Sequence, residues 1–127
     1  MIDIRIHGVG KYELLQDISV SENGWTIEVL KGFIWDGASI PQNLWDDVGC
    51  PIDYAVESLV HDALYRTHLL DRKIADKIFH SLLMRREDVS ASLAKIMYLG
   101  VRVGGEYSYN NTPSKADARK YVIVTNI

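Results

Sequence analysis

The sequence predicts an α+β fold, in which a small antiparallel N-terminal sheet, joined by a C-terminal strand, packs with a core of three α-helices. Apolar and polar residues alternate over Ile2–His7, which is typical of a half-buried strand. Apolar residues recur at helical spacing through residues 52–104, and Tyr121–Thr125 is rich in β-branched residues. We expect one domain, 1–127, with strands mainly in 1–36, helices in 52–104 and a terminal strand in 120–125.

The first third of the chain has the residue patterns of antiparallel strands. After Ile2–His7, the segment Tyr12–Val20 contains a second predicted strand. Asn23-Gly24 predicts a hairpin turn, because both residues tolerate positive φ angles. A third strand follows over Trp25–Leu30, and residues 33–35 continue in extended form.

The segment that follows has the composition of a loop and a short helix. Asp36-Gly37 predicts a tight loop, because an Asp before a Gly shapes a turn through its own backbone. Ser39, with Pro41 near the first helical position, can cap a short helix over Gln42–Asp47. Residues 48–51 then connect this helix to the first long one.

The first long helix is predicted from about Ile52 to Thr67, and it carries two stripes. One stripe is apolar and consists of Ile52, Val56, Leu59, Val60, Ala63 and Thr67. The opposite stripe consists of Tyr54, Ser58, His61 and Tyr65, with Asp62 beside it. A solvated face more often carries Lys and Glu. We therefore expect this second stripe to be covered or to line a cleft.

Two more helices follow. The second is predicted from Arg72 to Arg86, with Asp71 as its N-cap. The third is predicted from Asp88 or Ser90 to about Val103, where Gly104-Gly105 should end it. Its core face is expected to consist of Leu93, Ile96, Met97, Gly100, Val101 and Gly104, with Gly100 in close contact with another helix.

Composition and charge exclude several classes of protein. The 127 residues carry a formal net charge of −3, so the basic footprint of a nucleic-acid-binding protein is absent and no specific nucleic-acid partner is expected. The one cysteine, Cys50, can form neither an intrachain disulfide nor a thiolate metal cluster. No apolar run approaches the ~18 residues of a transmembrane segment. The charged N-terminus does not have the pattern of a signal peptide.

The pair His61-Asp62 is the strongest candidate for chemistry. Neighbouring helical residues point about 100° apart, so these two side chains address different directions. Asp76 on the second helix could hold the His61 tautomer, with the Tyr65 hydroxyl donating to Asp76, and His61 would then act as a general base. Asp62 could bind a hard cation such as calcium, together with carbonyl oxygens of the loop at Asp36.

A series of motifs runs from residue 32 to residue 105: Gly32-Phe33; Asp36-Gly37-Ala38-Ser39-Ile40-Pro41; His61-Asp62 with Leu64-Tyr65; Arg72 with Ala75-Asp76 and Phe79; Tyr98 with Val101-Arg102 and Gly104. In this order they resemble a family of small phage and prophage proteins catalogued as a domain of unknown function, number thirteen fifty-three. The resemblance implies a phage or prophage origin, phage structural proteins as partners, and the host cytoplasm or the virion as the location. It implies no established activity.

The set His61-Asp62, Tyr65 and Asp76 is also similar to the active-site helices of secreted and bacterial phospholipases of the A-two class. In those enzymes the His is the general base for a water, and the adjacent Asp binds calcium with loop carbonyls. A second-helix Asp orients the His and is hydrogen-bonded to a Tyr. The similarity implies that His61 is the base, Asp62 a calcium ligand, Asp76 the orienting carboxylate and Tyr65 its partner.

Two hypotheses remain open at the level of the sequence. In the first, the chain is a small phage- or prophage-encoded accessory or virion-associated protein, whose His-Asp-Tyr-Asp set is a buried polar network that fixes two helices. In the second, it is a calcium-type, metal-assisted hydrolase of a lipid ester or cell-envelope substrate. The disulfides and calcium loop of the phospholipases are missing, and Asp36-Gly37-Ala38 is the candidate substitute for the loop. The hydrolase requires His61 in a solvent-reachable cleft near Asp36 and Asp62, whereas a sealed contact between His61 and Asp76 favours the first hypothesis.

Overall fold

Two three-stranded antiparallel sheets and three long helices make up the part of the chain that the computed structural model describes, residues 3–8, 11–35, 54–111 and 116–127. The predicted α+β class is confirmed. The strands are β1 (Ile4–Gly8), β2 (Lys11–Leu14), β3 (Ile18–Glu22), β4 (Trp25–Val29), β5 (Ile34–Trp35) and β6 (Val122–Asn126). The helices are α1 (Ala55–Thr67), α2 (Arg72–Met84), α3 (Ala91–Asn111) and the short α4 (Ala116–Arg119).

The strands are divided between two sheets. In the first sheet β2 lies between β1 and β5, and in the second β4 lies between β3 and β6. The segment Tyr12–Val20, which was predicted to contain one strand, therefore contributes to both sheets, through β2 and β3. Asp17 lies at the division, where its Oδ1 accepts the backbone N–H of Lys31 at 2.8 Å. Asp17 thus lies in a loop rather than in a strand, and this loop separates the two halves of the segment.

The second sheet is built on the predicted hairpin. Asn23 and Gly24 have φ angles of 54° and 84°, as the turn between β3 and β4 requires. β6 pairs antiparallel with β4, with Val122 opposite Val29. The predicted return of a C-terminal strand to the N-terminal β-structure is therefore confirmed.

α1 runs through the apolar core that joins the sheets to the helices. Leu59, Val60, Ala63 and Leu64 of this helix are fully buried. Their core neighbours from the sheets and the adjoining segments are Leu14, Ile27, Val29, Phe33 and Trp35. Complete burial of such side chains contributes about 1.5–3 kcal/mol each. Packing on both sheets therefore fixes the position of the α1 backbone, from which His61 and Tyr65 project.

α3 differs from the prediction in its length and in the face it buries. Gly104-Gly105 lie inside the helix, which continues to Asn111, so the prediction that they end it is wrong. Its core-facing residues are Ala94, Met97, Val101 and Gly105. Ile96, predicted on that face, is exposed, and in the described structure no atom lies within 4 Å of a Cβ added at Gly100. Apolar residues occupy much of the helix circumference, so tertiary packing decides which of them are buried.

Several predicted features lie outside the described residues. They are the loop at Asp36, the Ser39 cap, the short helix Gln42–Asp47 and the connector with Cys50. No helix of the described ranges is long and apolar enough to cross a membrane.

Candidate functional site

The polar stripe of α1 is covered, as the absence of Lys from it predicted. Ser58, His61 and Tyr65 are all buried, and so is Asp62 beside them. Ser58 accepts a hydrogen bond from Trp35 Nε1 at 3.3 Å and donates to the carbonyl oxygen of Ala55 at 3.1 Å. Ser58 therefore joins α1 to the first sheet, and the other two side chains face α2.

Asp76 of α2 receives the two hydrogen bonds that the sequence predicted. Its Oδ1 lies 2.6 Å from His61 Nε2 and 2.6 Å from the Tyr65 hydroxyl, which donates to it. An ionised carboxylate can only accept, so His61 Nε2 carries the proton in this contact. The side chains of His61 and Asp76 both have 0% relative exposure. The sequence therefore predicted the geometry of this group correctly, and its catalytic role stays a prediction.

Two arginines complete the coordination of this carboxylate on its other oxygen. Asp76 Oδ2 lies 2.7 Å from Nη1 of Arg102 on α3 and 3.4 Å from Nη1 of Arg72 on α2. The same Arg72 nitrogen lies 3.1 Å from the carbonyl oxygen of Arg102 and 3.3 Å from that of Val101. We call the group of His61, Tyr65, Arg72, Asp76 and Arg102 the Asp76 cluster. It ties three helices together at one carboxylate.

The pKa values within the Asp76 cluster follow from this arrangement. Burial by itself raises the pKa of Asp76, but hydrogen bonds from His61, Tyr65 and Arg102 outweigh it and hold that pKa below its usual value. Burial, and then the hydrogen bond to Asp76, raise the pKa of Tyr65 well above its ordinary value. The hydrogen bond to Asp76 also raises the pKa of Arg102. At neutral pH the carboxylate is ionised, and the tyrosine is a neutral donor.

Aromatic rings and a glycine enclose His61 and Tyr65. The His61 ring centroid lies 4.1 Å from that of Tyr65 and 4.9 Å from that of Phe79. On the other side of Tyr65, α3 approaches with its backbone, because a Cβ atom at Gly105 would lie 2.5 Å from the Tyr65 hydroxyl oxygen. Gly105 is therefore the close-contact glycine of α3, in place of Gly100.

Asp62 has a different environment from Asp76. Its Oδ2 accepts a hydrogen bond from Arg66 Nε at 2.9 Å, one turn later on α1. Its predicted partner Asp36 lies outside the described residues. Within the ranges that the structure describes, no three His, Cys, Asp or Glu side chains are grouped so that they could hold a metal ion. The structure thus brings together His61, Tyr65 and Asp76, and the predicted pairing of Asp62 with Asp36 stays a prediction because Asp36 lies outside the described residues.

Arg72 and Arg102 were not among the predicted site residues. The sequence contained a signal for the contact between Arg72 and Asp76, because a basic residue four positions before an acidic one on a helix can reach it. Arg102 had no comparable signal in the residue spacing. Its contact crosses between helices, and it depends on the rotation of α3 about its axis, which the ambiguous apolar pattern did not fix.

Residues 12–101 match the model of the family described as "Protein of unknown function (DUF1353)". The chain belongs to the DUF1353 family. The match includes α1, α2 and most of the Asp76 cluster, and it ends one residue before Arg102. No curated protein and no solved structure matches the chain significantly. Membership of the DUF1353 family was therefore predicted correctly by the motifs between residues 32 and 105.

Proposed function

We propose that this chain is a non-catalytic accessory protein of phage or prophage origin, in which the Asp76 cluster fixes three helices. The observation that carries the proposal is the complete burial of the His61 and Asp76 side chains. Four residues donate hydrogen bonds to the Asp76 carboxylate. A general base must reach a water and a substrate, and complete burial of its side chain opposes that.

The charges around Asp76 support the same function. In a catalytic pair, the carboxylate stabilises the imidazolium that forms when the base takes a proton. Here Arg72 and Arg102 place two guanidinium groups on the same carboxylate. The negative charge of Asp76 is thus compensated by two guanidinium groups. This arrangement suits a structural link between helices.

The proposed origin and location rest on the resemblance to phage and prophage proteins. We propose phage structural proteins as the partners, and the host cytoplasm or the virion as the place of action. A rigid helical unit fixed by a buried ionic cluster is well suited to present a constant surface to such partners, because little conformational entropy is then lost on binding.

One observation favours a second candidate, the calcium-type hydrolase of a lipid ester or cell-envelope substrate. Asp76 Oδ1 accepts hydrogen bonds from both His61 and Tyr65, which is the arrangement attributed above to the A-two phospholipases. In this candidate His61 is the base, and Asp62 binds calcium with carbonyls of the Asp36 loop. The helices would have to separate enough for water to reach His61, and calcium would have to displace the Arg66 guanidinium from Asp62.

The variant His61→Asn distinguishes the two candidates. An accessory protein should show no calcium-dependent turnover on a panel of phospholipids and simple esters. The variant should also lower its free energy of unfolding by about 1–3 kcal/mol, because Asp76 loses a buried donor. A hydrolase should turn over such a substrate, and His61→Asn should abolish that turnover.

His80→Asn is the matched control. His80 lies on α2 and contacts the ring of Tyr98 at a centroid distance of 5.2 Å, without taking part in the Asp76 cluster. This variant should retain both stability and any turnover. Calcium-dependent hydrolysis that is lost in His61→Asn and kept in His80→Asn would overturn the accessory proposal.

A further inference from the structure

α3 carries an apolar stripe on the side that faces away from the core. Ile96, Leu99 and Val103 are 51%, 48% and 82% exposed. At about 100° per residue these three fall within about 60° of one another, opposite the buried Met97 and Val101. Their successive spacings of three and four residues are those of a seam along which one helix packs on another. Exposed apolar side chains grouped in this way mark an interaction surface.

The charges beside the stripe indicate what binds there. Lys95 and Glu106 are exposed, lie on the same flank of the stripe, and are about three turns apart. In an antiparallel pair of identical helices, equal flanks face each other across the two-fold axis. An axis at the midpoint, beside Gly100, places each Lys95 opposite Glu106 of the second copy. Arg102, which lies on the same flank, already binds Asp76.

The midpoint of the stripe also allows close approach. At Gly100, in the part of the chain that the structure describes, no atom lies within 4 Å of an added Cβ. A helix without a side chain at this point can bring its backbone near a second helix, so that the apolar side chains on either side interlock.

We propose that α3 binds a second copy of this chain as an antiparallel pair, through Ile96, Leu99 and Val103 and two reciprocal Lys95–Glu106 ion pairs. A single surface supplies both the apolar contact and its own charge complement, which is the requirement for a two-fold interface. This inference is independent of whether the Asp76 cluster is structural or catalytic, since none of the residues it uses belongs to that cluster.

Charge reversal tests the antiparallel arrangement by sedimentation velocity on the full chain. Lys95→Glu brings carboxylates together at both ends of the interface, and Glu106→Lys brings ammonium groups together. Each variant alone should dimerise about tenfold more weakly than wild type. In an equimolar mixture of the two variants opposite charges meet again, so mixed dimers should form with nearly wild-type affinity. The chain that carries both substitutions should also dimerise with nearly wild-type affinity, because its two charges have exchanged places.

The apolar contact has its own matched pair of variants. Ile96→Glu should weaken dimerisation by about tenfold or more, because it places a carboxylate in the seam. Ile6→Glu, at a residue of β1 that is 61% exposed, should leave dimerisation unchanged. A wild-type chain that sediments as a monomer at all attainable concentrations overturns the proposal. A dimer that is indifferent to Ile96→Glu, or one that the variant mixture does not restore, overturns it as well.

Discussion

The hydroxyl oxygen of Tyr65 lies 2.5 Å from the position that a Cβ atom would take on Gly105. That hydroxyl donates to Asp76, so the backbone of α3 sets the position of a donor to the buried carboxylate. Gly105→Ala should displace Tyr65 and lower the free energy of unfolding by about 1–3 kcal/mol, as overpacking of a filled site does. Urea unfolding followed by circular dichroism measures this change.

The neighbouring residue provides the control for this prediction. In the described structure a Cβ at Gly104 meets no atom within 4 Å, and the residue lies in the same helix. Gly104→Ala should therefore raise stability by up to about 1 kcal/mol, through helix propensity alone. Equal effects of the two substitutions would show that Gly105 is not a point of close packing.

The ionic half of the Asp76 cluster should show strong energetic coupling. Arg102→Met removes the 2.7 Å contact with Asp76 Oδ2 and should lower the free energy of unfolding by about 1.5–3 kcal/mol. In the double variant with Asp76→Asn the two losses should not add, because both substitutions remove the same interaction.

Arg5→Met is the comparison for an ion pair at the surface. Arg5 is 59% exposed and its Nη1 lies 3.5 Å from Glu13 Oε1. This substitution should change stability by less than about 1 kcal/mol. If Arg5→Met and Arg102→Met cost the same, burial does not distinguish the Asp76 cluster from an ordinary surface contact.

The pH dependence of stability should report the ionisation of Asp76. Its pKa is lower in the folded chain than its ordinary value of 3.8, so the folded state binds fewer protons than the unfolded state in this range. The resulting stabilisation is present above pH 3.8 and is lost as the pH falls through the folded pKa. Unfolding measured from neutral pH downward should show this loss in wild type and a shallower dependence in Asp76→Asn. Parallel curves for the two proteins would assign the acid sensitivity to other groups.

The β3–β4 turn makes a prediction for the second sheet. Gly24 has a φ angle of 84°, which an L-residue with a Cβ adopts at a cost of about 1–2 kcal/mol. Gly24→Ala should lower stability by that amount. Asn23→Gly should cost less than Gly24→Ala, because a turn of this kind accepts glycine at both central positions and the substitution removes only the exposed hydrogen bond that Asn23 Oδ1 accepts from Ser81 Oγ at 3.2 Å. Thermal unfolding of the two variants checks the difference, and an Asn23→Gly variant that is destabilised as much as Gly24→Ala would require a different turn geometry.

The sequence could predict the helical side of the cluster because the information is local. His61 and Tyr65 are one turn apart on a single helix, and Asp76 lies on the next helix of a short hairpin. Their contact follows once the two helices pack against each other. Arg102 and Gly105 could not be assigned in this way, because their contacts depend on how far α3 is rotated about its axis.

The errors in the β-structure and in α3 have physical reasons. The pattern over Tyr12–Val20 is less regular than that of Ile2–His7, and it does not indicate that Asp17 turns away to bind the Lys31 backbone. Likewise, Gly104-Gly105 ends a helix only where ending the helix at this point lowers the free energy of the folded chain. Packing of Gly105 against Tyr65 instead favours a helix that continues to Asn111.

The pairing of β6 with β4 has a consequence for synthesis of the chain on the ribosome. The β3–β4 hairpin emerges early, but the third strand of this sheet, Val122–Asn126, emerges about 90 residues later. An isolated two-stranded hairpin is only marginally stable in water, and its open edge can pair with a neighbouring nascent chain. Such distant strand pairing also slows folding. We therefore expect aggregation during expression to originate at the free edge of β4, before β6 has been translated.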